Sequence, residues 1–394
     1  MDTFKISKKK KIVFFAANTF LQNDAFFPVL LYLASRGVET RIIFEIQSSL
    51  KAVKSSTSLW SWLNKYAGDI VCFEGAYRYI AINNLIRKAR KIYYILSVIF
   101  CKEAIVFLPL NKTRTNSVLD RFSNVWYYHS YGGFDFTERW NMNTGLTSKQ
   151  RKFAEKPRPP KPIKAKFFKK IVFLTLDKEV FNKKYIWDKH LIIPYPHMQS
   201  WWHGFMKDDP PRYGKREQIE RSKFITILLL RKGNYIFEDG SDVDVLLDEI
   251  VAAIRKHYHD SLIVLKPKYG QDGKCWLDDD NLYDRYKDKN IVITYDTLTS
   301  LSCKTAFAVS TGHTTGNYYM LSRGIPVIEY CRYSEGWRDI FPKETSIEEY
   351  GGVSVKDIKS LEACIKNIMN HKIDLAKLKE KIGYKDIKPD IDLF

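Results

Sequence analysis

The chain is predicted to be an α/β protein made of two doubly wound, parallel-sheet domains facing each other across a cleft. Three observations carry this expectation. Short, wholly apolar runs alternate with helical stretches through both halves of the sequence, as in a parallel sheet covered on both faces. At 394 residues the chain exceeds a single typical core. A proline-bearing break, Lys207–Gly214 (KDDPPRYG), interrupts the pattern, which then restarts.

In the first half, Lys11–Ala17 is a strand running into a loop, Asn18–Asp24. Ala25–Arg36 is an apolar helix stopped by Gly37. Glu39–Ile46, Asp69–Glu74, Ala104–Leu110 and Val125–His129 are further strands, with Ile80–Phe100 a prominent helix between them. Ile171–Leu176 and Leu191–Pro194 complete this half. Glu155–Lys170 (EKPRPPKPIKAKFFKK) is too rich in proline for helix or central strand, and reads as an exposed basic loop.

The second half opens with the strand Phe224–Leu230 and its terminal turn, Arg231-Lys232-Gly233. Asp242–Tyr258 is an amphipathic helix, with Val243, Leu246, Leu247, Ile250, Ile254 and Tyr258 at helical spacing. Leu262–Leu265, Ile291–Tyr295, Thr305–Val309 and Ile325–Tyr330 are strands, and Val355–Met369 is a helix before a lysine-rich tail. These elements imply Rossmann-like domains over residues 1–206 and 221–372, a linker over 207–220 and a tail over 373–394.

Composition narrows the function classes. An apolar content of 45% excludes wholesale disorder. Lys and Arg number 64 against 45 Asp and Glu, a formal net charge of +19, which calls for an anionic partner: nucleic acid, acidic lipid or a phosphorylated substrate. The six cysteines are widely spaced with no C-x-x-C pair, so a reducing cytosol is expected and a disulfide framework is not. The basic N-terminal segment lacks a signal-peptide cleavage site, and the longest apolar run, Ile92–Phe100, is too short to span a bilayer. A cytoplasmic location follows, with peripheral attachment at the inner face of the cytoplasmic membrane as an extension. Ile80–Phe100 bears on that point. As an interfacial helix it docks on anionic lipid, aided by Lys156–Lys170; the alternative is a buried helix with one basic face.

The most informative segment is Ala306–Tyr330 (AFAVSTGHTTGNYYMLSRGIPVIEY). It reads as strand, tight turn, helix N-terminus, helix, glycine stop and strand. A helix N-terminus presents unpaired N–H groups and partial positive charge, which suits a phosphate; a Ser/Thr N-cap with no ligand is the simpler alternative. Two more turns fall at the same sheet edge, Arg231-Lys232-Gly233 and Lys266–Gly270, the latter offering Lys266, Lys268 and Tyr269. Together the three suit one nucleotide phosphate, although simple surface exposure also accounts for each lysine. Neither G-x-G-x-x-G after the first strand of either half nor G-x-x-x-x-G-K-[ST] is present.

On these residues the second half resembles the carboxyl-terminal domain of glycosyltransferases of the two-Rossmann (GT-B) type, over roughly residues 224–370. Ser310-Thr311, the following helix and Gly324-Ile325-Pro326-Val327-Ile328 fall in the family's order. Bacterial surface-polysaccharide transferases using CMP-activated sugars, of the sialyl and Kdo type, carry a Lys-Pro-His-Pro or His-Pro motif after the second strand. Here that stretch is Lys266-Pro267-Lys268-Tyr269, with lysine in place of histidine. Tyr319 stands where many retaining members place a ribose-binding glutamate, so that subgroup is disfavoured.

The resemblance implies transfer of a sugar from a nucleotide-activated donor, CMP-linked in its narrower form, to a surface-glycan acceptor of the capsule or lipopolysaccharide kind. It implies an inverting, metal-independent reaction without a cofactor, an acceptor-binding first domain and a donor-binding second domain. Ser310, Thr311, His313 and Lys268 meet the phosphate, within a turn that includes Gly312, Thr314 and Thr315. His313 also protonates the departing phosphate, or else is a helix-start histidine bonded to backbone. Glu329 reaches a sugar hydroxyl or is an exposed strand-end carboxylate. The base is Asp24, whose simpler role is an N-cap, or Asp135 or Glu138 beyond the strand end at His129. Asp278-Asp279-Asp280 lies in a polar loop and reads as solvated surface. The competing functions are a CDP-glycerol or CDP-ribitol polyol-phosphate transferase, a nucleotide-sugar 2-epimerase, and a non-enzymatic nucleic-acid-binding protein.

Overall fold

The computed structural model describes residues 11–17, 20–74, 80–100, 104–109, 124–131, 170–175, 189–213, 219, 222–230, 238, 243–267, 285–286, 290–340, 345, 347–381 and 387–394. Its strands form two sheets. The first contains β1 (Lys11–Phe15), β2 (Glu39–Phe44), β3 (Asp69–Cys72), β4 (Ala104–Pro109), β5 (Asn124–Tyr131), β6 (Lys170–Thr175) and β7 (Lys189–Pro194), in the order β3-β2-β1-β4-β5-β6-β7. The second contains β8 (Phe224–Leu229), β9 (Leu262–Pro267), β10 (Ile291–Ile293), β11 (Thr305–Ser310), β12 (Val327–Tyr330) and β13 (Val353–Val355), in the order β10-β9-β8-β11-β12-β13.

All these strand pairings are parallel, and the two-domain α/β architecture expected from the sequence is present. Every residue of β8 and β9 is buried, which explains why the strands read as continuous apolar runs. Each strand order reverses once, between β1 and β4 and between β8 and β11. Open α/β sheets bind ligands at that reversal, beyond the carboxyl ends of the strands.

The helices refine the sequence expectations. α1 spans Phe20–Ser35 and starts well before Ala25. Pro28, which suits a first turn, instead lies inside the helix. Asp24 is therefore a helical residue rather than a loop end or N-cap. α2 (Gln47–Ser55) and α3 (Thr57–Tyr66) fill the β2–β3 crossover, and α4 (Ile80–Phe100) follows β3. α5 (Ser200–Asp208) buries Trp201, Trp202, Phe205 and Met206.

In the second domain α6 (Val243–His257) buries the periodic residues Val243, Leu246, Leu247, Ile250 and Ile254. The short α7 (Leu298–Ser302) precedes β11, and α8 (Thr315–Ser322) joins β11 to β12. At φ +71° Gly324 closes α8, with the Ile325 N–H donating to the Met320 carbonyl at 3.0 Å. α9 (Glu335–Ile340) follows β12. The last predicted helix starts later than expected, as α10 (Ile358–Asn367) capped by Asp357, because Val355 belongs to β13. α11 (Leu375–Lys381) leads towards the end of the chain. The tail returns to the first domain, where the Phe394 ring meets Phe107 and Trp126 edge-on.

The two domains touch through apolar and polar groups alike. One buried core runs from β1, α1 and α5 into Tyr318, Tyr319, Met320 and Leu321 of α8. Beside it, Asp296 accepts hydrogen bonds from the Ser58 backbone N–H and the Ser58 hydroxyl, both at 2.9 Å, and from Thr294 at 2.9 Å. These bonds tie α3 to the segment before α7.

Candidate active site between the domains

His197 also joins the two domains, at the end of the first sheet. It lies in a 3-10 turn, Pro196–Met198, just past β7, and is 4% exposed. Nδ1 of its ring pairs with the Thr299 hydroxyl of α7. Nε2 lies 3.6 Å from Oδ2 of Asp24. Tyr319 of α8 packs against the imidazole edge-on, with ring centroids 5.9 Å apart. The ring thus touches α1, α7 and α8.

Asp24 is held there by its neighbour. Asn23 donates Nδ2 to the Ala17 carbonyl at 2.8 Å and accepts the Ala17 N–H at 2.6 Å, clasping the turn after β1. Tyr128 of β5 accepts the same N–H at 2.9 Å and donates to the Phe15 carbonyl at 2.9 Å. The carbonyl of Asp24 itself has no helical donor, because position 28 is proline. Burial raises the Asp24 carboxyl above its ordinary pKa of 3.8, against the charges of His197 and of Lys266 at the end of β9. Burial lowers the His197 imidazole below 6.5, opposed by the carboxylate and backbone of Asp24. Oδ1 of Asp24 is enclosed without a hydrogen-bond partner among the described residues. Lys266 is 9% exposed and donates to the Pro267 carbonyl at 3.1 Å. The result is a carboxyl group with a raised proton affinity, an imidazole with a lowered one and a cation, at the carboxyl edges of both sheets.

The β11–α8 turn is the second half of the site. Gly312 has φ 142°, a backbone conformation that side chains rarely adopt. Thr314 is the N-cap of α8, its hydroxyl accepting from the Gly316 N–H at 3.4 Å. Thr311 is buried, and its hydroxyl accepts the Leu230 N–H at 2.9 Å, tying β11 to the end of β8. The hydroxyls of Thr311 and Thr314 therefore serve the turn. Ser310 differs: its Oγ is buried without a hydrogen-bond partner among the described residues. Thr315 opens α8.

Glu329 is fully buried rather than exposed at the strand end. It accepts from Asn317 Nδ2 at 2.7 Å and from the Tyr333 hydroxyl, and Nδ1 of His313 lies 4.0 Å away. Burial raises its pKa from 4.5 to about 7, although bonds from Tyr333, Thr345 and Asn317 oppose the shift. Asn317 also donates to the Gly312 carbonyl at 3.3 Å. Glu329 thus braces the turn from behind. His313 packs among Tyr318, Trp337 and this carboxylate.

The structure therefore puts Asp24 beside His197, within reach of the charge of Lys266 across the domains, and groups Ser310, Gly312, His313, Thr314 and Glu329 around one turn. Asp135, Glu138, Arg231, Lys232, Gly233, Lys268 and Tyr269 lie outside the described residues. Sequence reasoning missed His197, Thr299 and Asp296. For His197 a signal existed, because Pro194-Tyr195-Pro196-His197 follows a strand end directly. Among the described residues no group of three or more His, Cys, Asp or Glu side chains is placed to hold a metal ion.

No family model matches the sequence, and no curated protein matches it. Solved structures of similar layout exist. UDP-GlcNAc 2-epimerase from Methanocaldococcus jannaschii aligns at a TM-score of 0.49 and 14% identity, over 92% of this chain and 93% of its own. Spinosyn forosaminyltransferase aligns at 0.48 and 11% identity, over 95% of each chain. A glycosyltransferase from Rickettsia africae aligns at 0.41 and 12% identity, over 95% of this chain and 97% of its own. The chemistry must be argued from the side chains of the site itself.

Proposed function

We propose that the protein is a nucleotide-sugar glycosyltransferase that builds a bacterial surface glycan, with the donor held by the second domain and the acceptor by the first. One observation carries this reading: Asp24 lies 3.6 Å from His197 of the first domain, whose other ring nitrogen pairs with Thr299 of the second, and the charge of Lys266 acts on the same carboxyl group. In this reading Asp24 takes the proton from an acceptor hydroxyl. The acceptor oxygen then bonds to the anomeric carbon as the bond to the nucleotide phosphate breaks, and the phosphate leaves with the electron pair. A carboxylate whose pKa is raised by burial is a stronger base than an ordinary aspartate. Ser310, the start of α8 and Lys266 face the charge that develops on the phosphate. His313 supplies a proton to it. The donor is CMP-linked in the narrower form of the proposal, and the acceptor is a glycan, free or attached to lipid.

A thermal-shift screen with CMP, CDP, UDP, GDP and their sugars tests the donor site, since a ligand of the native state raises the melting temperature by mass action. At least one nucleotide should raise it, and Ser310→Ala should weaken that response. A flat response to every nucleotide would overturn the proposal.

A nucleotide-sugar 2-epimerase is the second reading, favoured by the burial of His197 beside the partly buried Asp24 at the domain interface. Incubating a binding nucleotide sugar without acceptor separates the two. Conversion to a stereoisomer supports the epimerase; dependence of turnover on added glycan supports the transferase.

A further inference from the structure

We propose that the outward face of α4 is a docking surface for an anionic phospholipid bilayer. Ile82, Leu85, Ile92, Tyr93 and Leu96 are 44%, 69%, 59%, 66% and 47% exposed. Five of the nine exposed large hydrophobics among the described residues thus lie on this one helix. At about 100° of turn per residue they share one outward arc roughly 100° wide, with Ala89 between them. A crossover helix in a doubly wound domain turns its apolar face inward, towards its sheet. α4 leaves a long apolar stripe facing outward instead, so the buried-helix alternative fails for these five positions.

Charge identifies the occupant. α4 carries Arg87, Lys88, Arg90 and Lys91 and no acidic residue. By helical position Lys88 flanks one side of the stripe and Arg90 the other, the Arg90 guanidinium donating to the Cys72 carbonyl at 2.9 Å. On the side of the helix away from the stripe is a cavity of about 330 Å³ lined by Glu45, Ile46, Phe73, Arg87, Lys88 and Lys91. Lys91 pairs with Glu45 at 2.9 Å, which leaves Lys88, at the edge of the stripe, to offer charge to a phosphate headgroup. An apolar stripe between cations is the pattern of a helix that lies in the interface plane. No helix among the described residues is long and apolar enough to cross a membrane, so this contact would be peripheral. Residues 45 and 46 follow β2 and residue 73 follows β3, so the cavity opens at the carboxyl edge of the first sheet, the edge that holds Asp24. A lipid-attached acceptor would be presented to that edge.

The inference goes beyond the proposed chemistry and uses none of its residues. Co-sedimentation of the full chain with vesicles tests it, comparing phosphatidylcholine alone with an equimolar mixture of phosphatidylcholine and phosphatidylglycerol. Wild type should pellet with the anionic vesicles only, and less as salt rises. Leu85→Glu/Ile92→Glu should lower partitioning at least ~10-fold, and Lys88→Gln about fivefold. Leu85→Gln/Ile92→Gln guards against misfolding, and should lose binding with its melting temperature and nucleotide response intact. Failure of wild type to pellet, or retention of binding in the Gln variant, would overturn the proposal. So would self-association of wild type in solution that the same substitutions abolish, since a second copy would then be the occupant.

Discussion

The two carboxylates of the candidate site, the partly buried Asp24 and the fully buried Glu329, share a raised proton affinity and differ in their hydrogen bonding. Burial raises both. Both oxygens of Glu329 are held by protein donors, one by Asn317 and the other by Tyr333. Among the described residues Asp24 has one oxygen without a hydrogen-bond partner and the other 3.6 Å from an imidazole. A carboxylate with both oxygens hydrogen-bonded fixes geometry; one left unsatisfied between two domains is free to exchange a proton with a bound ligand. Perturbed pKa values mark both kinds of residue. Hydrogen-bond satisfaction tells them apart.

The largest expected effect tests Asp24. Asp24→Asn keeps the shape and removes the proton acceptor, so transfer should fall on the order of 100-fold or more. The nucleotide-induced rise in melting temperature should survive. Loss of both would make Asp24 a structural residue like Glu329. The reverse is expected at Glu329. Glu329→Ala strands the donors of Asn317 and Tyr333 in a buried site, at a cost of about 2–4 kcal/mol. Chemical denaturation of the variant measures that loss directly.

Titration sharpens the contrast. Glu329 binds its proton more tightly when folded, so its contribution to stability is complete below 4.5 and is lost as pH rises through about 7. The shift corresponds to about 3 kcal/mol. Glu329→Gln should remove that part of the stability–pH profile. His197 acts with the opposite sign, because burial lowers its pKa. Its contribution is complete above 6.5 and is lost as pH falls below that value, and His197→Gln should flatten the acidic side. The smallest effect is expected at Ser310, whose hydroxyl has no hydrogen-bond partner among the described residues. Ser310→Ala should leave the melting temperature almost unchanged and weaken donor binding about tenfold, measured by calorimetry.

Much of this frame was legible in the sequence. Parallel strands buried on both faces read as unbroken apolar runs, so β1, β8 and β11 were plain. The glycine stop at Gly324 and the turn from Ser310 to Thr314 were equally clear. The start of α1 was not, because Phe20–Asp24 mixes polar residues ahead of an internal proline and resembles a loop. Glu329 is the last but one residue of a strand, where neither burial nor exposure follows from the pattern. His197 and Thr299 carry little local signal of their own, because their meaning comes from long-range packing that brings the end of β7 against α7. Asp296 is hidden for the same reason: its partner Ser58 belongs to the other domain. The apolar residues of α4 were visible, but the direction they face depends on how the helix is set on its sheet.

The central claim is that Asp24 does chemistry and Glu329 holds shape. The most direct measurement is the turnover rate, per folded molecule, of a donor found in the nucleotide screen, in Asp24→Asn and Glu329→Gln side by side. The account predicts a loss of about 100-fold or more in the first, and in the second a rate within about threefold of wild type at pH below 7. Equal rates in the two variants, or an Asp24→Asn protein that turns over normally, would contradict it.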